Sequence, residues 1–175
     1  MHKRQEIKQA VVNILTAQIS GAPQGQYQTL AGPNVFKNRL IPLEETELPC
    51  ICVYAVTETS EKFDNIRLKR TLDLAVDCVS TSKASDDTID ALTNQVEYLL
   101  LQDMTAGGNA SWIELKRTEI GPADQSKNET LAGKMLYEIT YYTDITADPG
   151  TASLYTLDVN YDSDFAEDQI NLMEG

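Results

Sequence analysis

The sequence predicts an α+β fold: a mostly antiparallel sheet of four to five strands with two amphipathic helices packed on one face. Three observations carry this expectation. Cys50 to Val56 is an apolar or amphipathic run launched by Pro49, and such a strand needs protein on both faces. Leu68 to Val79 alternates cleanly, with Leu68, Leu72, Leu74, Val76 and Cys78 on one side and Lys69, Thr71, Asp73 and Asp77 on the other. Finally, two segments carry apolar stripes at three- and four-residue spacing. Two helices cover only one face of a sheet, so a neighbouring subunit is expected on the other.

The first helix is expected from Arg4 to Ala17, with Ile7, Val11, Ile14 and Leu15 inward and Lys8 and Asn13 outward. Gly21-Ala-Pro-Gln-Gly ends it and opens a loop through Gly32-Pro33, expected to be mobile unless a partner orders it. The first strand spans Cys50 to Thr57 and the second Leu68 to Val79, joined by a long charged tip over residues 58–67. Such a tip adds nothing to a core and is available for contacts with other chains.

Ser85-Asp86-Asp87 starts the second helix: short polar caps, with negative charge near the positive end of the helix dipole. It runs to Met104 with Ile89, Leu92, Val96, Leu99 and Leu100 inward, and Gly107-Gly108 stops it. A third strand is expected at Trp112–Ile120, a loop from Gly121 to Asn128, and a fourth strand from Leu131 to Ile145. A fifth candidate alternates Tyr155, Leu157, Val159 and Tyr161 with Thr156, Asp158, Asn160 and Asp162. The chain thus divides into one domain over 1–145 and an acidic extension over 146–175.

Charge narrows the function. Net charge is −13, from 27 acids against 14 bases, and seven acids with no base lie beyond Ile145. Nucleic-acid binding draws most of its affinity from neutralised phosphates, so a grip on DNA is disfavoured. A surface that meets a basic protein, or lets DNA pass without sticking, is compatible. No apolar run reaches the ~20 residues of a membrane helix, and none of signal-peptide type follows the N-terminus. A protein made in a cytoplasm is expected, with no membrane partner.

Catalytic chemistry is sparse. The three cysteines, Cys50, Cys52 and Cys78, all fall on predicted strands and read as reduced core thiols. His2 is the single histidine and sits beside a chain end, a poor place for a catalytic base or a zinc ligand. Asp158 to Asp164 copies the first half of a calcium loop, yet Ser163 replaces the required glycine and Gln169 the bidentate glutamate. Strand alternation explains the same spacing. Glu44, Glu45 and Glu47 form one acidic cluster, and Asp86, Asp87 and Asp90 another, the latter explained by helix capping. No pattern places paired carboxylates across a pocket, so neither a catalytic residue, a cofactor nor a metal is assigned.

Val35-Phe36-x-x-Arg39-x-x-Pro42, the acidic step at 44–47, Pro49 and the buried strand resemble the phage tail terminator family, minor tail protein U type. The resemblance extends through Leu72-x-Leu74-x-Val76, the Asp-initiated helix and Leu136-Tyr-Glu-Ile-Thr-Tyr141, covering residues 4–145. The loop at 21–34 and the tail after 146 depart from the small family members. The resemblance implies a hexameric ring of this chain that docks on the last ring of the tail tube. There it would stop polymerisation and offer a surface to a head-proximal neck or connector protein. It implies a virion location at the head-proximal end of the tail, with DNA only passing through the lumen. Exposure and pattern nominate Arg39, Glu58, Glu61, Lys62, Phe63, Arg67, Tyr155 and Tyr161 as interface residues. Two other readings stand beside it: another neck or tail-completion adaptor, and a carboxylate- or metal-dependent enzyme.

Overall fold

A computed structural model of the chain describes residues 2–39, 44–81, 86–124 and 127–145. Its elements run α1 (Lys3–Leu15), β1 (Val35–Lys37), β2 (Cys50–Lys62), β3 (Arg67–Thr81), α2 (Asp86–Gln102), β4 (Trp112–Asp124) and β5 (Lys127–Asp144). The strands form one five-stranded sheet in the order β1-β2-β3-β5-β4. All pairings are antiparallel except β1 with β2. The α+β class is as the sequence predicts.

Apolar periodicity builds the main core. Ile7, Val11 and Leu15 of α1 and Ile89, Leu92, Val96 and Leu100 of α2 are buried against one face of the sheet. The sheet answers with Ile51, Val53, Leu72, Leu74, Val76, Cys78, Met135, Tyr137, Ile139 and Tyr141. Helix α2 lies so close to β5 that a Cβ on Gly133 would stand 2.5 Å from Thr93 Cγ2. Asp103 then terminates α2 by accepting from the Thr105 and Gly107 amides, and Gly107 and Gly108 take positive φ.

Several local expectations change. Lys8 faces inward rather than outward: it is 8% exposed and donates to Asn38 Oδ1 at 2.6 Å. Its position beside Ile7 puts it on the flank of the buried stripe, where the chain after β1 closes over it. Burial, and then the nearby charges of Arg4 and Lys37, hold its amine below the ordinary lysine pKa. The segment read as a mobile loop is folded onto the domain. Thr29 Oγ1 donates to the Leu15 carbonyl, the Leu30 amide reaches Gln95, and Gln18 bridges Tyr27. The loop expected at 121–128 is part of a longer hairpin, with Asp124 paired to Lys127.

The far face of the sheet, where a neighbouring subunit is expected, is covered at one end by the chain itself. Cys50, Cys52, Val79 and Ala132 form a second small cluster there, with Phe36 and Leu48 packed on it. All three cysteines are buried and none is in a disulfide. Strand β1 is the device that achieves this. Its Val35 enters the main core while Phe36 turns to the opposite face. The fifth strand is therefore β1; the sequence candidate with Tyr155 and Tyr161 lies outside the described residues, as does the calcium-like run.

Candidate functional site: the open sheet face and hairpin tip

The β2–β3 hairpin is longer and its turn tighter than the sequence implied. Pairing continues from Thr57↔Asp73 to Lys62↔Leu68, leaving a short turn over Phe63–Ile66. Polar residues on both faces of 57–62 hid these pairs from a reading based on burial. Asp64 closes the turn by accepting from the Ile66 and Arg67 amides and from the Arg67 guanidinium. The Ile66 amide, then the Arg67 side chain and amide, favour its charged form and keep its carboxyl below the usual pKa despite some desolvation. The Ile145 amide donates to the Ile66 carbonyl, so the end of β5 is tied to the same tip.

A β-bulge between Ala55 and Thr57 decides what each face of β2 presents. Before it, Ile51, Val53 and Ala55 face the helices. After it the parity reverses and Glu58 takes the helix side. This places Glu58 in a cluster rather than on a free tip. Its carboxylate accepts from Arg4 at 2.8 Å, from Arg70 at 2.9 Å and from the Tyr141 hydroxyl at 2.9 Å. Burial pushes the Glu58 pKa up, but the Tyr141 hydroxyl and the Arg70 and Arg4 guanidiniums outweigh it and hold the pKa down. Burial and the hydrogen bond to Glu58 in turn push Tyr141 up to about 12.

A pH dependence follows from the depressed Glu58 pKa. The stabilisation is fully present above the unfolded carboxylate pKa of ~4.3 and is lost as pH falls through the lower folded value. Glu58→Gln is expected to cost about 1–3 kcal/mol near neutrality, since two guanidiniums lose their counter-charge. Urea melts of both proteins should converge as pH falls into the acid range. A constant difference across that range would show that Glu58 has no electrostatic role.

The remaining nominated residues separate into two places. Arg39 lies by the second cluster, its guanidinium 4.7 Å from the Phe36 ring centroid and 2.8 Å from Glu47. That intramolecular role explains the Val-Phe-x-x-Arg spacing: one residue enters the core, the next caps the far face, and the arginine clamps the cap to the acidic 3-10 turn at Glu45–Glu47. Glu61, Lys62, Phe63 and Arg67 gather at the hairpin tip. Glu61 pairs with Lys69 at 2.9 Å on the open face, and Lys62 is exposed on the helix side.

Phe63 organises the tip. Its ring meets Tyr142 edge-on with centroids 4.8 Å apart, and Arg67 stacks on it at 5.1 Å. Phe63 is nevertheless 51% exposed, Ile66 65%, Trp112 51% and Val56 53%. Trp112, Tyr142 and Val56 are exposed apolar side chains of the same kind that the sequence reading does not nominate, although each is a large apolar side chain on a polar strand face. Register places Trp112 opposite Thr140 and Tyr142 opposite Lys69 on the face without helices.

Between these aromatics and the second cluster runs a shallow trough of about 270 Å³, lined among others by Tyr54, Val56, Asp77, Arg117 and Lys134. Asp77 is buried there, with Tyr54 donating to Oδ2 at 3.0 Å and Oδ1 without a partner. Burial raises its pKa, against the opposing pull of the Tyr54 hydroxyl and Lys134. Lys134 sits in the neighbouring strand position, and Asp73 bonds Thr57 at the bulge. Of the acidic cluster at 44–47, Glu47 holds the Arg39 clamp and Glu44 accepts from the Thr46 hydroxyl. Among the described residues no group of three or more His, Cys, Asp or Glu side chains is arranged to hold a metal ion. No helix among them is long and apolar enough to cross a membrane.

The chain matches no protein-family model, and no curated protein matches it.

Proposed function

We propose that the chain is a ring-forming tail terminator, a structural protein that caps a phage tail tube and offers the opposite ring face for head joining. The observation that carries this reading is the sheet face without helices. Among the described residues it has a covered end at Cys50 and Cys52 and an uncovered end where Phe63, Tyr142 and Trp112 stand out of a polar surface. Aromatic residues exposed on a rigid sheet are the composition of an interface, not of a surface kept free in water. Supporting it is the sequence resemblance, whose residues form β1, the Arg39 clamp and the covered part of β2.

A head-to-tail contact that closes on itself gives a ring with two different faces. One face would complement the tube end, leaving the other to the neck, and growth would stop because the outer face does not repeat the tube surface. The mechanism is steric and needs no reaction. The net charge of −13 favours a lumen that DNA crosses without sticking. The proposal has two tests: whether the purified chain closes into a ring of about six copies, and whether that ring arrests growth of a polymerising tube. A ring that leaves tube growth unchanged would favour a neck adaptor instead.

A further inference from the structure

Over most of its length the outer edge of β2 has no backbone partner among the described residues. Among the described residues, β1 pairs only with Ile51–Val53, and the Asn38 amide reaches the Val53 carbonyl. From Thr57 to Lys62 the strand is regularly paired on its β3 side and has no described backbone partner on the other. Such an edge is a template for one more strand.

We infer that the C-terminal segment of the same chain, residues 154–161, docks on this edge as an added strand antiparallel to β2. Its sequence alternates Tyr155, Leu157, Val159 and Tyr161 with polar residues, the pattern of a strand with one apolar face. The last described residue, Ile145, is bonded to Ile66 at the hairpin tip, the same end at which β2 stops. Crossing from β5 over β3 and β2 to a new edge position takes three strand spacings, ~14 Å. The eight residues 146–153 span up to ~27 Å when extended, and Pro149-Gly150 supplies a turn on the way.

The ladder selects this edge over the one at β4, and an exposed cation lies near it. The segment after Ile145 carries seven acids and no base. Lys37 of β1 is exposed beside the β2 edge, and among the described residues its amine donates to the neutral Gln9. Asp90 and Glu97 of α2 line the groove at Thr118 and Ile120, and the edge of β4 carries charges of both signs, Lys116 and Arg117 beside Glu114 and Glu119. It is also broken by two register shifts and contains Pro122, which cannot donate to a ladder. The apolar side of the docked strand would then lie on the open face, next to the exposed Val56. This inference stands independently of the ring reading.

Residue-resolved hydrogen exchange on the full chain tests it. Amides of 57–62 that point away from β3, and amides of 154–161, are expected to be protected. Leu157→Pro with Val159→Pro should accelerate exchange at the outward 57–62 amides at least tenfold, while amides of Leu72–Cys78 stay unchanged. Lys37→Glu, which leaves the segment's strand-forming capacity intact, should accelerate the same amides severalfold. Unprotected 154–161 amides in the unmodified chain, or an unchanged β2 edge in the proline variant, would overturn the inference. So would protection that rises with protein concentration, which would assign the strand to a second copy.

Discussion

Replacing both Phe63 and Trp112 by glutamate is expected to abolish ring formation while leaving the monomer folded. Both side chains lie on the helix-free sheet face, and each is about half exposed, so neither anchors the core. Exposed substitutions of this kind change stability by roughly 0.5 kcal/mol, with slightly more at Phe63 because it meets Tyr142 and Arg67. At an interface the same positions would act as aromatic anchors worth about 2 kcal/mol or more each. Their joint loss should weaken association on the order of a thousandfold. Sedimentation would read the change directly, with thermal unfolding as the control for folding. Tyr98→Glu makes a matched comparison, because Tyr98 is exposed on α2, on the opposite side of the sheet. A ring that survives the double substitution but not Tyr98→Glu would place the interface on the helices.

The largest effect on stability is expected at Gly133. An added Cβ meets Thr93 Cγ2 at 2.5 Å and Ile89 Cγ2 at 3.4 Å, so α2 must lift from β5 or tilt. Overpacking of a close-packed contact costs about 1–3 kcal/mol for one methyl, and Gly133→Val should cost more. The Thr93 methyl causes the closest approach, while its hydroxyl is bonded to the Ile89 carbonyl at 2.9 Å. Thr93→Ser keeps that bond and removes the methyl. In a Gly133→Ala background it should restore part of the lost stability, giving a favourable coupling in a double-mutant cycle. Additive losses, measured by denaturant unfolding, would mean that α2 does not pack on β5 at this glycine.

What the sequence made legible was what burial writes into it. The stripes of α1 and α2, the continuous run at Cys50–Val53 and the alternation from Leu72 to Cys78 all report a covered surface and are buried, except that Ile14 of α1 is only half-buried while Val12 takes a buried place. The missing pieces lack such a record. Strand β1 is three residues long, too short for periodicity. Residues 57–62 extend the ladder with polar side chains on both faces, and Gly121-Pro122 reads as a loop although β4 continues through it. The bulge at Val56 reverses the parity of everything after it, so Glu58 could not be assigned to the helix side by counting alone. Lys8 was placed outward on charge, yet the Asn38 side chain gives its amine a partner inside.

The candidate interface was half legible for the same reason. Phe63 and Arg67 stood out as an aromatic and a cation in an otherwise acidic and polar stretch, and the structure brings them together with Tyr142. Arg39 and Glu58 looked available for the same reason, but each is spent inside the monomer, on Glu47 and on the Arg4–Arg70–Tyr141 cluster. Trp112 shares the parity of Glu114 and Lys116, so its place on the polar face is readable, whereas the register that sets it across from Thr140 is a fact of pairing that the sequence does not carry.

The native mass of the purified chain, followed by sedimentation across protein concentration and salt with negative-stain images of the largest species, tests the central claim most directly. The account predicts a closed ring of about six copies with a central hole, in which aromatic burial dominates and added salt therefore does not dissolve the assembly. A strict monomer at every concentration and salt would contradict it.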